Sequence, residues 1–217
     1  IPSPATQYRG IAKLPPGASA TYQLNTGAMK VRQTWRYRIT PENRPHGTPE
    51  DWALKLRELL RHAVEKRLQS DVPLGLFLSG GLDSTTVLAL ARDIQPDAAI
   101  DTFTVGFEQP SYDERAQAKS VSTFFKTQHH ERTLKLDTAR SLADEVLGRM
   151  DEPVADYSLL PNFLLSSFAR ERVTVALSGD GGDELFAGYD TFAALKISKF
   201  YKRIMPPPFH RALRAMA

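Results

Sequence analysis

Leu74-Gly75-Leu76-Phe77-Leu78-Ser79-Gly80-Gly81-Leu82-Asp83-Ser84 is the stretch whose reading decides the fold. Leu74 to Leu78 is an uninterrupted apolar run of strand length, as a strand buried on both faces requires. Two glycines follow, and helical periodicity then runs to about Arg92. Strand, glycine turn and helix in direct succession put backbone N–H groups and a helix N-terminus at the carboxyl end of a strand. That arrangement suits a phosphate or pyrophosphate, with Ser79 and Ser84 adding hydroxyl donors. Neither G-x-x-x-x-G-K-[ST] nor G-x-G-x-x-G is present, so this is neither a Walker loop nor a dinucleotide fingerprint. Asp83 is out of place beside an anion unless a cation lies between them, which implies magnesium.

Downstream, the same alternation continues. Thr102 to Phe107 reads as a strand, and about Asp113 to Phe125 as a helix with Asp113 as its cap. His130 to Leu134 is extended, Asp137 caps a helix to near Met150, and Pro161 to Arg170 is helical. Val173 to Leu177 is another buried strand, followed by a second glycine-rich loop, Ser178-Gly179-Asp180-Gly181-Gly182-Asp183-Glu184. Upstream, Thr48 is an N-cap with Pro49 at the first helical position and Glu50 and Asp51 in the first turn. Trp52, Leu56, Leu59, Leu60, Ala63 and Val64 then form one apolar stripe, with Trp52 expected in the core. Residues 8–38 read as short extended pieces. Tyr22 to Leu24 and Val31 to Tyr37 flank the turn Asn25-Thr26-Gly27, a hairpin expected at the edge of a larger sheet. Residues 41–49 form a linker.

Apolar strands alternating with amphipathic helices indicate an α/β fold, a Rossmann-like parallel sheet with helices on both faces. In such folds the ligand sits outside the carboxyl ends of the strands, where both glycine-rich loops fall. A single loop of this composition is often a plain turn; two at the ends of buried strands in one sheet argue for a site. In the second loop Asp180, Asp183 and Glu184 would repel one another without a metal or a proton.

Composition narrows the function classes. The chain has 217 residues, 41% of them hydrophobic and 24% charged, enough for one sizeable core. No segment is long and apolar enough to span a bilayer. There is no cysteine, which excludes disulfides, thiolate metal sites and cysteine nucleophiles in this chain and fits a reducing, cytoplasmic compartment. Residues 1–40 and 191–217 each carry six basic residues and no acidic ones, leaving residues 41–190 with a net charge of −9. That acidic middle argues against nucleic acid as the main partner. The start lacks Met and carries no basic or apolar leader, so a partial chain is expected.

Two motifs together carry a resemblance. Ser79 to Ser84 resembles the pyrophosphate loop (S-G-G-x-D-S) of the ATP pyrophosphatases. Ser178 to Tyr189, Ser-Gly-Asp-Gly-Gly-Asp-Glu-Leu-Phe-Ala-Gly-Tyr, resembles the second signature of the glutamine-hydrolysing asparagine synthetases. Thr102 to Phe107, Tyr112-Asp113-Glu114, His129-His130-Glu131 and Asp151-Glu152-Pro153 support it. The resemblance implies an adenine nucleotide α-hydrolase-like fold for residues 50–217, the N-terminal part of an ATP-dependent synthetase domain. Residues 1–40 would be the last strands of a truncated glutaminase-type domain. It further implies ATP and Mg²⁺ as cofactors, with aspartate and glutamine-derived ammonia as small-molecule substrates, and a possible homodimer. Residue by residue, the first loop, Ser79, Gly80, Gly81, Asp83 and Ser84, would cradle the departing pyrophosphate. Phe77, Leu78 and Val105 would read adenine through their backbone, and Ser178 and Gly179 would touch the nucleotide. Asp83 and Asp183 would hold Mg²⁺. Asp180, where many relatives have Glu, would stand near an acyl-adenylate. A β-lactam synthetase-like or peptide-cyclising amide ligase, and a non-catalytic nucleotide-binding module, are the alternatives.

The remaining candidates divide less sharply. Adjacent His129 and His130 cannot both face one side of a strand, so a metal pair is not expected. Asp151-Glu152-Pro153 is either a solvated turn or part of a substrate pocket. Lys196, Lys199 and Lys202 lie on a basic, partly helical tail and receive no catalytic role.

Overall fold

In the computed structural model, which describes residues 1–36, 38, 46–109, 113–134, 136–156 and 158–204, apolar runs and helical stripes alternate as the sequence implies. A hairpin of β1 (Ala18–Tyr22) and β2 (Met29–Gln33) comes first, then α1 (Pro49–Arg67), β3 (Leu74–Phe77), α2 (Leu82–Ile94) and β4 (Asp101–Phe107). The chain continues through α3 (Arg115–Phe125), β5 (Gln128–Leu134), α4 (Leu136–Gly148), α5 (Leu159–Arg170), β6 (Val175–Leu177), α6 (Gly182–Phe186) and α7 (Asp190–Ile204).

β3 to β6 form one sheet in the order β5-β4-β3-β6, with every pair parallel. From β3 the chain steps outward through β4 to β5, then returns past β3 to add β6 on the opposite flank. The reversal creates a switch point between β3 and β6, the place where α/β sheets open a crevice for ligands. The loops leaving those two strands are the two glycine-rich loops.

Both faces of the sheet are covered. On one, Leu76 and Leu78 pack with Val64 of α1, Leu88 and Ala91 of α2 and Ala118 of α3. On the other, Phe103 packs with Phe168 and Ala169 of α5 and with Val173. Phe103 is fully buried, and its ring meets Phe168 edge-on at 5.6 Å between centroids. The buried Thr102 hydroxyl is satisfied by Thr127 Oγ1 and His129 Nδ1, each at 2.9 Å. His130 reaches Asp101 Oδ1 at 2.7 Å and stacks on Phe103, so the two histidines serve different partners, as alternation along a strand requires.

Helix α1 starts as its sequence dictates. Thr48 Oγ1 accepts from the Asp51 N–H at 3.2 Å, and Asp51 Oδ2 accepts from the Thr48 N–H at 2.9 Å, a reciprocal capping box. Three expectations need correction. Trp52 is 45% exposed rather than in the core, because the buried side of α1 is centred on Val64, three turns further on. The β1–β2 hairpin pairs only with itself among the described residues and joins no larger sheet; its strands are displaced toward the N-terminus from the expected ones. α4 begins at Leu136, so Asp137 stands inside the first turn rather than capping it. Tyr37, residues 39–45 of the expected strand and linker, Tyr112, and the side chains of Lys196, Lys199 and Lys202 lie outside the described residues.

Phe103→Ala should lower the unfolding free energy by about 3–5 kcal/mol, the usual range for emptying a filled aromatic site. Urea denaturation of the 217-residue chain reads it, and a loss below about 1 kcal/mol would contradict this packing of α5 on the sheet.

Candidate active site at the junction of two glycine-rich loops

The first loop is held by its own hydroxyls. Ser79 and Ser84 Oγ lie 2.8 Å apart, the Ser79 N–H donates to Ser84 Oγ at 3.2 Å, and the Gly81 N–H donates to Ser79 Oγ at 3.1 Å. The two serines, expected as donors to a ligand, thus shape the loop first. Gly80 has φ +80°, and a Cβ there would stand 2.6 Å from Gln117 Cβ and 2.8 Å from the Ala118 nitrogen, so the loop is pressed onto the first turn of α3. Gly81 is the N-cap of α2 and makes no side-chain cap, which leaves that helix end open to an anion.

The second loop lies directly on the first. A Cβ on Gly179 would come within 2.7 Å of the Ser84 nitrogen, and one on Gly182 would overlap the Asp83 carboxylate. The expected repulsion among Asp180, Asp183 and Glu184 is relieved locally. Asp180 Oδ2 accepts from Ser178 Oγ at 2.9 Å. Glu184 Oε1 accepts from the Tyr189 hydroxyl at 2.7 Å, and that bond holds its carboxyl below the usual carboxylate range. Asp83 and Asp183 have no hydrogen-bond donor to their carboxylates among the described residues; Asp183 lies against Gly188.

Between these loops and α5 opens a cavity of about 390 Å³. Phe77, Leu78, Ser79, Ser84, Val105, Ser178, Gly179 and Asp180, all singled out from the sequence, line it. Gly80, Gly81, Asp83 and Asp183 do not. Asp83 instead borders a larger apolar hollow of about 650 Å³ between α1, α2 and α6, which Asp180 also reaches. The two loops are therefore the wall between the hollows.

Sequence reasoning missed the far wall, formed by Phe103, Thr104 and by Pro161, Asn162, Leu165 and Ser166 of α5. No motif marks those α5 positions; only the seating of α5 on Phe103 brings them in. Of the Tyr112-Asp113-Glu114 segment, read from the sequence as a helix start with a site role as the alternative, Glu114 lines the cavity. Asp113 does not cap α3 as expected: Glu114 is the N-cap, without a side-chain bond, and Asp113 grips Arg115 instead, Oδ2 to Nη2 at 2.7 Å. Asp151-Glu152-Pro153 stays away from the cavity. Glu152 pairs with Lys13 at 2.6 Å, a hydrogen bond that lowers its pKa, and Gln7 Nε2 donates to the Asp151 carbonyl at 3.0 Å.

Among the described residues no group of three or more His, Asp or Glu gathers to hold a metal alone. Asp83 and Asp183, flanking Gly182, offer hard oxygen donors that suit Mg²⁺ when ligand phosphates and water complete its shell, the usual manner for that ion. No helix among the described residues is long and apolar enough to cross a membrane.

A parallel sheet with two glycine-rich loops meeting at its switch point defines an open α/β protein of the class whose ligands sit in that crevice. The chain matches the asparagine synthase family over residues 55–217, and it belongs to that family. It is 40% identical over 191 residues to "Putative asparagine synthetase [glutamine-hydrolyzing] 2" of Methanocaldococcus jannaschii, covering 88% of this chain and 36% of that one. It is 30% identical over 205 residues to "Asparagine synthetase [glutamine-hydrolyzing] 1" of Bacillus subtilis, covering 94% and 31%. The chain thus spans about a third of the length of these curated relatives. Among solved structures, the NH3-dependent NAD synthetase of Campylobacter jejuni overlays 63% of this chain and 60% of its own with a TM-score of 0.42 at 18% identity.

Gly80→Ala should cost about 1–2 kcal/mol for a side chain at positive φ, and more for its collision with α3. A melting curve of the variant checks this; an unchanged midpoint would contradict the tight seating of the loop on Gln117 and Ala118.

Proposed function

We propose that this chain is the ATP-binding synthetase portion of a glutamine-dependent asparagine synthetase, joining aspartate and ammonia at the expense of ATP cleavage to AMP and pyrophosphate. The observation that carries the reading is the meeting of the Ser79–Ser84 and Ser178–Glu184 loops at the switch point, over a cavity lined by both. Its apolar walls at Phe77, Leu78 and Val105 suit a base, and the serine-rich loop ends suit phosphates. Family membership supports the choice of aspartate as the carboxylate.

The chemistry runs in two displacements. An oxygen of the aspartate β-carboxylate attacks the α-phosphorus, the bond to the β-phosphate oxygen breaks, and pyrophosphate leaves. Ammonia then attacks the acyl carbon of β-aspartyl-AMP, AMP leaves, and one proton is lost to give asparagine. The first loop and the α2 N-terminus hold the departing pyrophosphate, so charge moving onto it meets N–H groups already oriented. Ser178 and Gly179 fix the nucleotide beside them. Asp180, where the two hollows meet, stands next to the forming acyl-adenylate. Mg²⁺, held by Asp83 and Asp183, would neutralise phosphate charge and polarise the α-phosphate. Residues 1–40 are the closing strands of a glutaminase-type domain in the parent chain, which supplies the ammonia.

Two measurements test this. ATP should bind the 217-residue chain more tightly with Mg²⁺ than without, by calorimetry, and equal affinity would remove the role of the acids. The parent enzyme, given aspartate and ammonia, should release AMP and pyrophosphate, and Asp83→Ala should slow it at least about a hundredfold through the lost metal ligand. Stoichiometric ADP, or AMP release indifferent to Asp83→Ala, would sink the assignment. AMP formed only with another carboxylate would keep the mechanism and move the substrate to that of a related amide ligase.

A further inference from the structure

Asp113 and Glu114 are adjacent acids at the start of α3, and the structure uses them in opposite ways. Asp113 is fully engaged: Oδ1 accepts from Arg115 Nε at 2.8 Å and from its backbone N–H at 3.3 Å, and Oδ2 accepts from Nη2 at 2.7 Å. Arg115 in turn donates from Nη1 to Thr133 Oγ1 of β5 at 2.6 Å. Glu114 has no donor to its carboxylate among the described residues, makes no side-chain capping bond, and lines the cavity. It remains open to solvent on the cavity side, yet the protein packed around it pushes its carboxyl above the usual range.

Its place in the fold is defined from both sides. Just before it, the Asp113–Arg115 pair lies against Gly106, one residue beyond Val105 at the end of β4. Just after it, Gln117 and Ala118 carry Gly80 of the phosphate loop. Glu114 is therefore bracketed by the strand end that faces the base and the loop that faces the phosphates. In a nucleoside triphosphate the group between base and phosphates is the sugar.

We infer that Glu114 is the sugar-recognising residue of this site, its carboxylate accepting hydrogen bonds from the 2′- and 3′-hydroxyls of ribose. The inference rests on the nucleotide reading proposed above. A carboxylate only accepts, and the ribose diol offers two neighbouring donors to its two oxygens. Phosphates would repel it. An acid on a ribose hydroxyl, placed after the strand next to the phosphate loop, is the solution other nucleotide-binding α/β sheets use. Donors from the ligand would also offset the burial that disfavours the charged carboxyl. Holding Asp113 on Arg115 fixes the backbone at Glu114, so its side chain is aimed by the segment rather than by a partner of its own.

The test is calorimetry on the 217-residue chain with Mg²⁺, using ATP, 2′,3′-dideoxy-ATP and pyrophosphate as probes. Wild type should bind ATP about tenfold or more tighter than dideoxy-ATP, the ordinary worth of hydrogen bonds to a charged group. Glu114→Gln should weaken ATP by a similar factor, leave dideoxy-ATP unchanged and leave pyrophosphate unchanged. Glu114→Asp, shorter by one methylene, should fall between. Equal binding of ATP and dideoxy-ATP by wild type overturns the inference without recourse to any variant. Loss of both nucleotides alike in Glu114→Gln, or no loss of ATP, overturns it as well, while the nucleotide reading stands. Wild type that binds neither ATP nor pyrophosphate overturns that reading, and this inference with it.

Discussion

The site depends on one close approach, that of the Asp83 carboxylate to the α-carbon of Gly182. β3 and β6 are neighbouring parallel strands, so the loops leaving them start about 5 Å apart and must share the space above the sheet. They can do so only because the second loop presents backbone without side chains to the first turn of α2. Gly179 lies against Ser84 and Gly182 against Asp83. The result is a wall of loop backbone and short polar side chains, with a hollow on either side.

Sheet order is what brings those loops together. Had β6 been added beyond β5, its loop would open three strand widths from Ser79. The return to the free flank of β3 places it next door, although β6 itself has only three residues. α5 precedes β6, and Phe168 and Ala169 anchor it over Phe103. Its other positions, Asn162 and Ser166 among them, thereby become the far wall of the cavity. A core contact thus sets the width of the site.

The local pieces were legible in the sequence because each has a local cause. An apolar run followed by Gly80-Gly81 reads as strand, turn and helix without knowledge of neighbours, and Thr48, Pro49 and Asp51 specify a helix start by themselves. What stayed hidden needs a partner to define it. Periodicity marked a stripe on α1, but not that its N-terminal end at Trp52 and Leu56 would stay open. Alternation marked the hairpin, but not that β1 and β2 would pair only with each other among the described residues. Composition marked the acids of the second loop as a repulsive cluster, whereas Ser178 and Tyr189 answer two of them. The pair Asp113-Glu114 could not be divided into a structural acid and a free one until Arg115 was seen to turn back on Asp113.

That division runs through the whole site and orders its electrostatics. Some acids have donors of the protein's own: Asp113 has Arg115, Glu184 has Tyr189, and Asp180, which also lines the cavity, has Ser178 on one oxygen. Asp83, Asp183 and Glu114 have none among the described residues; the first two belong to the loops, and Glu114 lines the cavity between the loops and α5. A solvent-accessible carboxylate without a protein donor is free to meet a ligand that brings the complementary charge or hydroxyls. In the proposed reading, two of the three flank the place where phosphate charge would collect, and a divalent cation would reconcile them with it. The third stands where charge would be absent and hydroxyls present. On the proposed reading, the same feature, a carboxylate without a donor of the protein's own, would meet a cation at the loops and a sugar in the cavity.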